Sequence, residues 1–248
     1  MAKIAIIGGT GLTSLKGLEI TGKEVVQSKY GAPSGELISG VLSGKEVLFL
    51  PRHGYNHNIP PHKVNYRANI AVLKEAGADY IIAVNAVGGI TNEMGPGQIS
   101  IPDQLIDYTW SRQHTFFEDE LDDVVHIDFT QPYCETLRQK LITAADQHGI
   151  DVVGKGTYAV AQGPRLETAA EIDRYERDGC HIVGMTGMPE AALARELELC
   201  YASVSVVANM AAGRGEGEIT MAEIERTLDT GMANVRALLE GVIPILST

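Results

Sequence analysis

The sequence predicts an α/β fold: one domain over residues 1–248, built on a mixed, mainly parallel twisted sheet flanked by helices. Three observations carry this expectation. Short β-rich runs alternate with segments whose apolar residues recur at helical spacing. Gly77 and Gly149 fall where helix C-caps belong. No repeat, low-complexity stretch or linker divides the 248 residues, a length that suits one large α/β domain.

In chain order, the first strand is "KIAIIG" (Lys3–Gly8), spilling into "GTGL". "KEVLFLP" (Lys45–Pro51) follows, then the helical "VNYRANIAVLKEAG" and the strand "DYIIAVN" (Asp79–Asn85). A second helix is predicted in "QPYCETLRQKLITAADQHG". "HIVGMT" (His181–Thr186) and the valine-rich "YASVSVVAN" (Tyr201–Asn209) are further strands, and "TMAEIERTLDTGMANVRALLEG" is a last helix. In a sheet covered on both faces, ligands gather at the carboxyl ends of the strands. Those ends carry Gly8-Gly9-Thr10, Pro51-Arg52-His53, Asn85 to Gly89, Met185-Thr186 and Asn209, so the organisation alone marks a site.

Bulk properties narrow the function. Hydrophobic residues at 44% and charged residues at 21% are ordinary for a soluble globular protein. No run of 18 apolar residues is present, and "MAKIAIIGG" does not read as a signal peptide. Cys134, Cys180 and Cys200 are odd in number, lack metal spacing, and are expected to be reduced thiols in a cytoplasmic protein. A formal net charge of −12 argues against nucleic acid or an anionic membrane as partner.

The motifs point to an anion. "GGTGL" offers backbone N–H groups and the Thr10 hydroxyl as an anion nest. A dinucleotide fingerprint fails, because Ser14 stands where the third glycine belongs and no acid follows a second strand; no Gly-Lys-Ser/Thr follows for a Walker loop. Without a ligand, the turn is simple punctuation. In "PRHGYNHNIPPHK", Arg52 can grip an oxyanion by two parallel bonds. His53, His57 and His62 are poor metal ligands, since Pro60-Pro61 breaks any shared helix and no carboxylate or cysteine joins them. "NAVGGI" reads as a second glycine turn at a strand end. Glu167 in "QGPRLETAAEID" reads either as a first-turn acid on a helix dipole or as a ligand-facing group. Thr186, ahead of a Pro-initiated helix, reads as an N-cap or as an anion contact. No serine elbow, Cys-His nucleophile or glycosidase carboxylate pair is evident.

Taken together, "IAIIGGTGL", "RHGYNHNIPPHKVNYRANI", "NAVGGITNEMGPGQISIPDQLIDYT", "QGPRLETAAE", "VGMTGMPEAALARELELCYAS" and "VVAN" resemble the trimeric purine nucleoside phosphorylase and methylthioadenosine phosphorylase family, nearly end to end. The resemblance implies reversible phosphorolysis: inorganic phosphate attacks the ribose anomeric carbon and releases the purine and a ribose-1-phosphate. It implies a homotrimer, with pairing of trimers into hexamers left open, and neither metal nor organic cofactor. By position, the resemblance implies Thr10, Arg52, His53, Asn85, the Ala86 backbone N–H and Thr186 as the phosphate ligands. Met185 falls where the family packs on the ribose, and Leu166 lies among the substrate-binding positions. Asn209, Glu167 and His53 are the residues expected to carry the chemistry.

The resemblance also divides the family by base. Methylthioadenosine phosphorylases end the "YASV" strand with an aspartate and place another two residues on; this chain has Asn209 and Ala211. Asparagine can donate to O6 or N7 of a 6-oxopurine, and Glu167 can accept its N1–H. Adenine has no N1–H, so it would face an unmatched carboxylate. Where ordinary purine nucleoside phosphorylases keep a histidine for the 5′-hydroxyl, "GEITMAEIERTL" has Met221 and Ile224, an apolar wall suited to a methylthio group. His126, from a neighbouring subunit, is expected to close this pocket, with "FFEDELDDVV" before it as a mobile loop. The expected substrate is 5′-methylthioinosine. The competing readings are an inosine/guanosine phosphorylase, a methylthioadenosine phosphorylase, a Rossmann-like NAD-binding protein and a non-catalytic purine-binding module.

Overall fold

A computed structural model describes residues 2–12, 14–119 and 121–246. Its spine is a sheet whose strands are β1 (Ile4–Gly8), β2 (Glu19–Glu24), β3 (Leu37–Leu42), β4 (Lys45–Pro51), β5 (Tyr80–Gly89), β6 (Ile99–Ser100), β7 (Gln104–Asp107), β8 (Val152–Val153), β9 (Thr157–Val160), β10 (Ile182–Gly184) and β11 (Cys200–Met210). The helices are α1 (Tyr66–Glu75), α2 (Glu135–Gln147), α3 (Ala169–Arg177), α4 (Glu190–Glu196) and α5 (Met221–Leu246), with a short 3-10 turn at Pro61–Lys63. The strand order is β2-β3-β4-β1-β5-β10-β9-β7, with β11 branching from β5 and carrying β6 and then β8.

The sheet is mixed and mainly parallel, as expected. β1 runs parallel to β4 and β5, β5 to β11, β9 to β10 and β7, and β6 to β8. The β2-β3-β4 edge is antiparallel, as are the β5–β10 and β6–β11 pairings. Alternation along β1 shows how both faces are covered. Ile4 and Ile6 join the cluster under α2 and α5, while Ala5 and Ile7 join the cluster under α1 and α4. Five positions, Ile4 to Gly8, are buried, which is why this strand reads as a continuous apolar run.

Glycine ends the helices where foreseen: Gly77 and Gly149 follow α1 and α2 with φ of 84° and 65°, in the left-handed region that glycine adopts without strain. Three expectations are corrected. "NAVGGI" is not a turn, because β5 continues through Gly89 and pairs there with β10. Its glycines serve close packing: a Cβ on Gly89 would sit 1.8 Å from the Met94 carbonyl oxygen. Glu167 is not a first-turn acid. Thr168 is the N-cap of α3, in a capping box with Glu171, so Glu167 lies outside the helix. Thr186 does not cap α4, whose N-cap is Pro189.

The thiols are also corrected. Cys134 and Cys200 form a disulfide with a Cα–Cα distance of 5.1 Å, leaving Cys180 as a free, buried cysteine. The Cys134 N–H donates to the Tyr201 carbonyl at 2.8 Å, docking the start of α2 beside the start of β11. A separation of 66 residues hides that proximity from the sequence, and the cysteine count no longer speaks for a reducing compartment. No described helix is long and apolar enough to cross a membrane.

Candidate functional site

The carboxyl ends of β1, β4, β5 and β10 and the last residues of β11 surround a cavity of about 530 Å³. It is lined by Thr10, Arg52, His53, Asn85, Ala86, Met185, Thr186, Leu166, Glu167, Asn209, Ala211, Met221 and Ile224. These expected site residues, spread over more than 200 positions of sequence, therefore share one space. His126 does not reach it: within its own chain it is exposed and lies outside this lining. The segment before it, residues 116–125, has neither helix nor strand among its described residues; Glu120 lies outside them, as does Thr13 of the opening turn.

At the first end, the turn after β1 folds against the end of β4, where the Arg52 N–H donates to the Gly8 carbonyl at 2.8 Å. Gly9 is required there, since a Cβ would lie 2.8 Å from Arg52 Nη1 and 2.5 Å from the Val84 carbonyl oxygen. Arg52 is fully buried, but its fork is not free. Nε and Nη2 donate to Glu190 Oε2 and Oε1 at 2.7 and 2.8 Å, and Nη1 donates to the Val84 carbonyl at 2.9 Å. The expected grip on an anion through that edge is thus taken by a carboxylate. Two of the five guanidinium N–H bonds remain beyond these three. Glu190 was not singled out from sequence. Its signal is a charged residue embedded in apolar "GMPEAALA".

His53 Nδ1 lies 2.8 Å from the Ile59 carbonyl oxygen. A carbonyl only accepts, so Nδ1 carries the proton and Nε2 presents a lone pair. Burial, reinforced by the Arg52 charge, lowers the His53 pKa to about 4. His57, in sequence only a poor metal-ligand candidate, lies 4.7 Å from His53 ring to ring, and its Nε2 is 3.3 Å from Thr10 Oγ1. Burial lowers its pKa as well. No group of three His, Cys, Asp or Glu is placed to hold a metal ion among the described residues.

The depressed His53 pKa has a stability consequence. The unfolded chain takes up this proton first, so stability contributed by His53 falls as pH drops from about 6.5 towards 4, by up to about 3 kcal/mol. Denaturant melts of the ligand-free protein against pH should show this slope, and His53→Gln should flatten it. An unchanged slope would assign acid sensitivity to other groups.

Asn85 is an orienting residue. Its Nδ2 donates to Ser203 Oγ at 2.7 Å, and its Oδ1 accepts from Thr186 Oγ1 at 2.8 Å. The side chain is spent inside the protein, which fixes the Thr186 hydroxyl at the cavity wall. Arg112, in an irregular segment that gives no periodic signal, holds the same loop. It donates to the carbonyls of Met185 and Met188 at 2.8 and 2.6 Å and to that of Gln162 at 2.8 Å.

The other end of the cavity is set by β11. A β-bulge between Val207 and Asn209 shifts the register against β5 and re-aims the strand end. Asn209 Nδ2 donates to the Met210 carbonyl at 2.7 Å, leaving the amide a second N–H and an acceptor oxygen. Glu167 Oε1 is buried with no hydrogen-bond partner among the described residues, and burial raises the carboxyl pKa. Met221 and Ile224, one turn apart on α5, join Ile219 as an apolar wall; Met221 is 62% exposed, so the cavity is open on that side.

The chain is similar over nearly its whole length to proteins already described. A probable S-methyl-5′-thioinosine phosphorylase of Pseudomonas syringae pv. tomato is 58% identical over 243 residues, covering 98% of this chain and 99% of that one. A 6-oxopurine nucleoside phosphorylase of Pyrococcus furiosus is 45% identical over 251 residues, covering 99% and 94%. The solved methylthioadenosine phosphorylase from Schistosoma mansoni in complex with adenine superposes with a TM-score of 0.96 at 32% identity, covering 100% of this chain and 92% of that one. With the Phosphorylase superfamily pattern matching residues 3–244, the chain belongs to that superfamily.

Proposed function

We propose that this chain catalyses phosphorolysis of S-methyl-5′-thioinosine: phosphate oxygen bonds to the anomeric carbon, the bond to purine N9 breaks, and hypoxanthine and 5-methylthioribose-1-phosphate are released. One observation carries the reading. The cavity that holds Thr10, Arg52, His53 and Thr186 also holds a buried, unpartnered Glu167 oxygen and, at its open side, the apolar Met221 and Ile224. The name of the 58% identical relative supports it.

In this reading the free N–H bonds of Arg52, the Ala86 N–H and the Thr10 hydroxyl hold phosphate, and neutral His53 accepts a hydrogen bond from the P–OH of a monoprotonated phosphate through Nε2; that proton ends on the purine as it is released. Alignment of the nucleophile with the anomeric carbon supplies much of the rate. As negative charge grows on the departing purine, Asn209 donates to N7 or O6 and Glu167 accepts the N1–H. Met185 packs on the ribose, Leu166 and Ala211 complete the base pocket, and the Met221–Ile224 wall takes the methylthio group. No metal or organic cofactor has a role. We include a homotrimer in the reading, because exposed His126 can serve a neighbouring copy's open pocket, and a cytoplasmic site of action. A second reading, inosine or guanosine phosphorolysis, is favoured by the 45% identical 6-oxopurine relative, and the 5′ wall argues against it.

A competition assay tests this: purified protein, excess phosphate, and equal methylthioinosine, methylthioadenosine and inosine, with the released bases separated by chromatography. Hypoxanthine from methylthioinosine should lead, phosphate omission should stop release, and EDTA should leave it intact. Faster inosine turnover would overturn the 5′ wall assignment, and adenine release would overturn the base assignment.

A further inference from the structure

Among the described residues lining the cavity, Arg52 is the one permanent cation. It is also half of a buried ion pair, because Arg52 and Glu190 are both 0% exposed and meet through two hydrogen bonds. Glu190 Oε1 also accepts the Tyr201 hydroxyl at 2.8 Å, and Tyr201 is itself buried. A site built only to bind phosphate tightly would leave that charge unopposed. Here a carboxylate cancels much of it at the cavity floor, while the neighbouring histidines are held neutral.

We propose that Glu190 is a positioning residue that also sets phosphate affinity: it holds the Arg52 guanidinium in one orientation and keeps phosphate binding weak enough for exchange at every turnover, with Tyr201 sharing the carboxylate charge. The inference rests on the reading of Arg52 as a phosphate ligand. When phosphate arrives, two anions share one arginine. Removing the charge of Glu190 leaves phosphate as the only counter-ion, so binding tightens while orientation suffers.

The experiment uses the full chain and inorganic phosphate, with the dissociation constant from calorimetry without nucleoside and with KM and kcat from turnover. Glu190→Gln should bind phosphate about tenfold tighter than the native protein, because one buried like charge has gone. Its kcat should fall. Its ligand-free Tm should drop while the rise in Tm on adding phosphate grows. Glu190→Asp keeps the charge on a shorter arm and should not tighten binding. Tyr201→Phe removes one donor from Oε1, so Glu190 competes harder for Arg52 and phosphate should bind about threefold more weakly. A merely structural pair would give weaker binding in Glu190→Gln and Glu190→Asp alike, and that outcome overturns the proposal. If Glu190→Gln does not fold, Tyr201→Phe decides, and unchanged or tighter binding overturns it. A native protein that neither binds phosphate nor needs it for turnover removes the underlying reading, and this inference with it.

Discussion

Arg52→Ala is expected to reduce phosphate-dependent turnover by about 10²–10³-fold in kcat/KM, the scale for losing a donor aimed at the reacting anion. The same substitution should also destabilise the fold. It strands Glu190 as a buried, uncompensated carboxylate, at a cost of about 3–5 kcal/mol. Activity loss alone would therefore not separate a ligand from a structural ion. The double variant Arg52→Met with Glu190→Leu does. Replacing both charges by apolar side chains is often neutral for stability, so the double variant should regain much of the native Tm and remain inactive. Circular dichroism melts beside phosphate-dependent release of base would read both. A folded double variant with native turnover would remove Arg52 from the phosphate site.

The second large effect concerns the base. Asn209→Asp combined with Glu167→Ser is expected to shift the ratio of adenine-nucleoside to 6-oxopurine-nucleoside kcat/KM by about 10²-fold or more, since a site that hydrogen-bonds the wrong edge leaves buried polar groups unpaired. The reason lies in the donor count. Glu167 accepts, a 6-oxopurine N1–H donates, and adenine N1 only accepts. The pH dependence provides an independent check on Glu167. Burial raises its pKa, so the native kcat/KM for a 6-oxopurine substrate should fall with decreasing pH earlier than an ordinary carboxylate would allow. Stability responds in the opposite sense to activity: a raised carboxyl binds its proton more tightly in the folded chain, so this group favours folding more as pH falls. Glu167→Gln should lose that acidic limb along with most activity. If both the substrate ratio and the acidic limb stay put, base selection lies elsewhere in the cavity.

Much of this was legible without coordinates. Strands β1, β4, β5, β10 and β11 announce themselves through apolar runs, because burial on both faces forces apolar residues at successive positions. β2 carries no such signal, since all six of its residues are exposed, and β6 and β8 are two residues each, too short to show a period. Helix α3 shows the limit of a local signal: its capping box lies in "TAAE", yet the segment alone leaves Glu167, one residue earlier, open between a first-turn acid and a ligand-facing group.

By itself, then, the sequence determined the fold class, the strand ends that meet and the residue types at the cavity, since patterning and turn chemistry act over a few residues. The tertiary structure decided which of those groups are free to act. It closed the Arg52 fork with Glu190 from 138 residues away, spent Asn85 on Thr186, and joined Cys134 to Cys200. It left a Glu167 oxygen without a partner and kept His126 outside its own chain's cavity. Each of these depends on which side chains become neighbours in space. Pairing and desolvation are properties of that neighbourhood, and the order of residues along the chain does not contain it.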